Sequence, residues 1–142
     1  MMTPRQIMLV QATFEQSRSR SLDIGERFYR RLFGRFPEMR KLFSGDIQAQ
    51  AGKLMNMVGA LVESLDHPAM TADTLFELGI RHQAYGVLPE HYRAAGRIFL
   101  WAIKPADGKG FTPEVRQAWM AFYDMIVEHM LEAPHQKIRA QS

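Results

Sequence analysis

The chain has 142 residues, of which 46% are hydrophobic and 23% charged, with a net charge of +3. This length corresponds to one domain, with enough apolar side chain to bury a core unaided, so disorder is excluded. There is no cysteine, which removes disulfide frameworks, cysteine nucleophiles and thiolate metal sites.

No apolar run approaches the length of a bilayer span. The opening Met1-Met2-Thr3-Pro4-Arg5 lacks the basic stretch and apolar run of a signal peptide. A cytoplasmic location without a membrane partner is the expectation, and a cysteine-free chain is compatible with it. Basic residues cluster between Arg18 and Lys41, where Arg27, Arg30, Arg31, Arg35 and Arg40 alternate with aromatics. Such a stretch can bind nucleic acid; here it reads as the solvated side of an amphipathic helix, with no nucleic-acid partner expected.

Helical punctuation runs along the whole chain. Thr3 and Pro4 read as an N-cap and first helical residue, opening a helix to about Ser19 with Ile7, Val10 and Phe14 on one face. Gly25, Phe28, Tyr29, Leu32, Phe33 and Phe36 follow helical spacing and predict a second helix over 21–35. Pro37 opens a short helical piece carrying Met39, Leu42 and Phe43, and Ser44-Gly45-Asp46 breaks the chain. A long helix is expected from about Ile47 to Leu65, striped by Gln50, Leu54, Met57, Val58, Leu61 and Leu65. Thr71 is the expected cap of the next helix, which carries Leu75, Leu78, His82 and Tyr85 on one face and ends at Gly86. Pro89 and Glu90 start another, with Tyr92, Gly96, Phe99, Leu100 and Ile103. After a polar loop, Thr112-Pro113-Glu114 opens the last helix, whose core side is Val115, Trp119, Phe122, Ile126 and Met130. Pro134 is expected to stop it. The result is an all-α chain of six long helices and one short one, forming a single domain over 1–142 and no coiled coil.

Of the five histidines, only His82 falls on an otherwise apolar stripe. By that stripe alone it reads first as a core histidine with satisfied hydrogen bonds. The parts of other chemistries are missing. The only Glu-x-x-His spacing is Glu132 to His135, interrupted by Pro134, and there is no zinc helix, phosphate loop or nucleophile elbow. A lone histidine in a Leu-, Phe- and Met-rich helical pocket suits haem better. Its second ring nitrogen would then donate to a backbone carbonyl, that of Leu78 one turn back.

Four stretches together are similar to one family. Residues 78–92 (LGIRHQAYGVLPEHY) resemble the proximal stretch of bacterial single-domain globins and flavohaemoglobins. Residues 28–33 (FYRRLF) and 37–43 (PEMRKLF) resemble the family's second and third helices, and 44–59 (SGDIQAQAGKLMNMVG) its distal helix. The resemblance covers about residues 5–130. It implies a globin fold around a haem pocket and haem b as cofactor. His82 is implied as the iron ligand, Phe43 packing on the haem face, and Tyr29, Gln50 and Leu54 on the distal side. Tyr92, Leu78 and Val87 fall on the proximal side. Lys53 and Arg81 are candidates for the haem propionates, although surface solvation is the commoner fate of such residues. Without the resemblance, Tyr29 and Phe43 read as plain core and Gln50 as an exposed first-turn residue.

The ligands implied are O2, NO and CO. Tyr29 and Gln50 can both donate hydrogen bonds to a polarised diatomic ligand, which implies tight, reversible O2 binding. Roles in oxygen storage or transport, or in NO detoxification, are implied; a gas or redox sensor acting through a partner is the alternative. Flavohaemoglobins continue into a flavin and nicotinamide reductase. The 142 residues here correspond to the globin part, so the expectation is a reductase in trans. The glutamate that joins the proximal histidine in flavohaemoglobins falls near Gln136, with Glu132 one turn off.

Overall fold

The structure, a computed structural model, describes residues 2–141 and the side chains of residues 2–132. All regular structure among these residues is helical: α1 (Pro4–Gln16), α2 (Ser21–Arg35), α3 (Ile47–Glu63), α4 (Pro68–Ala84), α5 (Pro89–Ile103) and α6 (Pro113–Gln141). Short 3-10 turns occupy Arg18–Arg20, Pro37–Leu42 and Ser64–Asp66. None of the described helices is long and apolar enough to cross a membrane.

Local chemistry sets most of the starts. Thr3 Oγ1 accepts from the Gln6 N–H and Gln6 Oε1 accepts from the Thr3 N–H, a reciprocal capping box ahead of Pro4. Asp46, expected only as part of a break, caps α3 by accepting from the Ala49 N–H at 2.7 Å. Thr112 caps α6 ahead of Pro113. Gly86 follows α4 at φ +85°, the left-handed conformation glycine adopts without a steric penalty.

Several expected boundaries move. The first helix ends at Gln16 and the third at Glu63, each passing into a 3-10 turn that reuses the terminal carbonyls. Thr71 does not cap α4, which already begins at Pro68; it is buried and its hydroxyl bonds to Ser64 O at 2.7 Å and Ser64 Oγ at 2.7 Å. Tyr85 leaves its expected face: as the C-cap of α4 it is 60% exposed. Pro134 does not stop α6, whose backbone runs on to Gln141. The carbonyl deprived of its i+4 donor by that proline, Met130 O, is seated against Gly79 of α4, so tertiary packing supports α6 where the proline weakens it.

The core is shared by two groups of helices. α2 packs on α3 and α5, while α6 packs on α1, α4 and α5. Trp119, Phe122, Ile24, Leu32, Leu75 and Val10 are the largest fully buried side chains. The α2–α3 crossing is close because Gly25 faces Ala51: a Cβ on Gly25 would lie 2.7 Å from Ala51 Cβ. That approach sets Tyr29, one turn beyond Gly25, beside the first turns of α3.

Candidate functional site

α3 and α4 follow one another through a short turn, yet they rest on different partners. α3 lies on α2 and α4 on α6, with no extended α3–α4 contact among the described residues. The two helices are therefore not packed face to face. Leu54 from α3, Leu78 from α4, Val87 from the turn after α4 and Phe43 ahead of α3 are half-buried rather than sealed.

Tyr29 is held by aromatic rings. Its ring stacks on Phe33 at 5.5 Å and meets the edges of Phe43 at 5.3 Å and Phe28 at 5.1 Å. Such offset and edge contacts fix the ring beyond what area burial supplies. The side chain is 6% exposed, and desolvation pushes its hydroxyl from 10 up to about 12. No fully enclosed side-chain polar atom among the described residues lacks a partner. The Tyr29 hydroxyl has no protein hydrogen bond among them, so it opens onto space.

His82 is positioned from the opposite element. Its Nδ1 lies 2.8 Å from Leu78 O, one turn back on α4. A carbonyl can only accept, so Nδ1 carries the proton and Nε2 keeps its lone pair. Burial holds the imidazole below its ordinary pKa, aided by the Arg81 charge and opposed by the Leu78 hydrogen bond. The ring is therefore neutral near pH 7, the form that ligates metals. Tyr92 of α5 lies beside it, ring centroids 6.2 Å apart, and burial pushes the Tyr92 hydroxyl up to about 12.

Gln50 is buried on the first turn of α3, not exposed, and its Nε2 donates to Ser44 O at 2.5 Å. One N–H of the carboxamide is thus used and a second remains. Lys53 and Arg81 are exposed, and neither forms an ion pair among the described residues. Glu132 is exposed, and Gln136 lies outside the residues whose side chains are described.

Two contributors were not legible beforehand. The Tyr123 hydroxyl donates to the Tyr92 carbonyl, and its ring fills the space above Gly96, where a Cβ would overlap it. This locks α5 to α6 behind the His82–Tyr92 pair; a glycine on the Tyr92–Phe99 stripe was the available signal. Ser44 acts on Gln50 through its carbonyl, which no side-chain pattern reveals.

The fold is all-helical, with a neutral, half-buried histidine on α4 and a ring-held tyrosine on α2. The chain belongs to the globin family, whose sequence profile matches residues 26–130. It is 31% identical over 134 residues to a flavohemoprotein of Deinococcus radiodurans, covering 92% of this chain and 33% of that one. It is 27% identical over 136 residues to a neuroglobin of Tetraodon nigroviridis, covering 86% of each. The chain spans about a third of the length of its flavohemoprotein relatives. Among solved structures, an engineered carbene transferase, the "putative nitric oxide dioxygenase" of Rhodothermus marinus, superposes with a TM-score of 0.81 at 28% identity, covering 99% of this chain and 97% of that one. A bacterial globin from Campylobacter jejuni shares the fold, with a TM-score of 0.81 at 21% identity over 96% of this chain and 99% of that one.

Proposed function

We propose that residues 1–142 form one globin domain that holds haem b through His82 and binds O2 reversibly and tightly. We further propose that it converts NO to nitrate when a reductase in trans supplies electrons. Within the family we place it with the single-domain group to which Hell's Gate globin belongs.

The observation that carries this reading is the His82–Leu78 contact at 2.8 Å, which leaves the neutral Nε2 lone pair free to ligate. The donor set fits the group: one imidazole, half-buried apolar side chains on α3, α4 and their flanking turns, and a tyrosine with a buried ring whose hydroxyl has no protein partner among the described residues. With no cysteine in the chain, the group would be held without a thioether bond. When bound, haem supplies a redox-active iron to which diatomic gases coordinate.

The protein's own contribution is orientation and hydrogen bonding. His82 offers Nε2, with Leu78 O fixing its tautomer and ring plane. Tyr29 offers a hydroxyl donor in a dry site, where such bonds are strong. Gln50 offers the N–H not used on Ser44. Phe43 and Leu54 exclude water. Lys53 and Arg81, both exposed, would offer cations to the propionates. The overall NO conversion, NO + O2 + e− → NO3−, needs one electron from the reductase. Flavohemoprotein relatives and the Rhodothermus protein favour it over a sensor role.

The test is direct. Protein purified with haem should show one Soret band that shifts under carbon monoxide, and His82→Ala should lose haem or release it at least about tenfold faster. Full retention with an unchanged spectrum in that variant would remove His82 from the iron. Nitrate formed from NO by the oxygenated protein, sustained only with added reductase, tests the second step.

A further inference from the structure

Away from His82, a cavity of about 200 Å³ opens where α1, the end of α5, the loop after it and α6 meet. Its floor is apolar: Ile103 and Trp119, 4% and 1% exposed, with Phe111 beside them. Two cations line it, Arg20 and Lys109, and no acidic residue does. Neither cation forms an ion pair among the described residues. The acid closest in sequence, Asp107, accepts from the Lys109 backbone N–H at 3.0 Å.

Of the other polar side chains here, Trp119, Thr13 and Ser17 are hydrogen-bonded, and Gln16 is exposed to solvent. Trp119 Nε1 donates to Thr13 Oγ1 at 2.9 Å, and that hydroxyl donates to Leu9 O at 2.7 Å. Arg20 Nη2 donates to Ile103 O at 3.3 Å, which anchors the guanidinium at the cavity and leaves its other N–H groups unspent. What remains unmet is positive charge on one side and flat apolar surface on the other. A molecule matching both carries one carboxylate and a compact apolar body. The cavity is smaller than the ~300–1,000 Å³ usual for drug-sized ligands, so that body is small.

We propose that this cavity is a binding site for a small monocarboxylate with an aromatic or compact aliphatic body, its carboxylate on Arg20 and Lys109 and its body on Trp119, Phe111 and Ile103. None of these residues is among those proposed to hold haem, so the proposal stands or falls apart from haem binding.

The test uses the full chain as purified and follows the indole N–H resonances by NMR while sodium benzoate is added; Trp101→Phe distinguishes the two indoles. Trp119 should shift saturably with a Kd of about 1 mM or tighter, while Trp101 stays still. Lys109→Gln and Arg20→Gln should each weaken binding about tenfold. Benzyl alcohol, which lacks the charge, and inorganic phosphate, which lacks the apolar body, should bind at least as much more weakly. Lys109 is exposed, so its substitution leaves the fold intact even if Arg20→Gln does not. No saturable shift at Trp119, equal affinity in Lys109→Gln, or equal binding of either control compound would overturn the proposal.

Discussion

Gly79 of α4 sits directly on the backbone of Met130 in α6: a Cβ added at residue 79 would lie 2.9 Å from Met130 Cα and closer still to its carbonyl oxygen. Met130 is the residue whose helical acceptor Pro134 leaves without an N–H donor. The freed carbonyl and the bare glycine therefore meet, and α4 is set on α6 one turn from His82. Gly79→Ala should push the helices apart, destabilising the fold by about 1–3 kcal/mol and lowering the midpoint by roughly 3–10 °C. Because α4 carries His82, the variant should also release haem faster to an apo-acceptor protein. Thermal unfolding indistinguishable from the parent would show that the contact yields without cost.

Tyr29 predicts a separation of stability from ligand binding. Its hydroxyl has no protein acceptor among the described residues, so Tyr29→Phe leaves no orphaned group and should not lower stability. The lost charge-assisted hydrogen bond, worth about 1.5–3 kcal/mol, should raise the O2 dissociation rate by roughly 10- to 100-fold and speed autoxidation. Stopped-flow ligand replacement measures the first; an unchanged rate would take Tyr29 out of the distal role.

Gln50 should behave differently. One of its N–H groups is engaged by Ser44 O at 2.5 Å, so only part of its donor capacity faces a ligand. Gln50→Leu should speed O2 release less than Tyr29→Phe does. Its stability cost should stay near 1 kcal/mol, because Ser44 is exposed and water can satisfy the freed carbonyl. A larger kinetic effect than that of Tyr29→Phe would reverse the assigned order.

Alkaline pH should unfold the protein through its buried phenols. Burial raises Tyr29 and Tyr92 from 10 to about 12 in the folded state. Between those values the unfolded chain has already released protons that the folded one retains, so stability falls as pH rises. The contribution is intact below about 10 and lost by about 12, amounting to about 2–3 kcal/mol for Tyr29 and to less for Tyr92, whose hydroxyl is more screened by solvent. In the apo-protein, phenolate absorbance from these residues should appear together with loss of helical signal. Ionisation of Tyr29 near pH 10 with the fold intact, identified by difference against Tyr29→Phe, would contradict the burial argument.

Helix starts were the most legible feature, because capping is local chemistry. Thr3-Pro4, Pro89 and Thr112-Pro113 open α1, α5 and α6 as their sequence signals indicate, and the α2 limits match the aromatic spacing. Helix ends were less legible. Whether α3 closes at Leu65 or tightens at Ser64 depends on hydrogen bonds to Thr71, seven residues away. The failure at Pro134 has the same origin: a local breaker was weighed without the helix lying across from it.

The apolar spacing, the caps and the lone histidine on a greasy stripe determined by themselves that the chain is all-helical and that His82 is the residue to watch, since both depend on neighbours within a turn or two. Tertiary structure alone decided the rest. It set α3 and α4 on different partners, packed Phe28, Phe33 and Phe43 around a tyrosine whose hydroxyl is left without a partner among the described residues, and turned Gln50 onto a backbone carbonyl. These outcomes follow from where backbones approach closely, at Gly25 on Ala51 and Gly79 on Met130. A glycine's position in sequence does not reveal which surface will press against it.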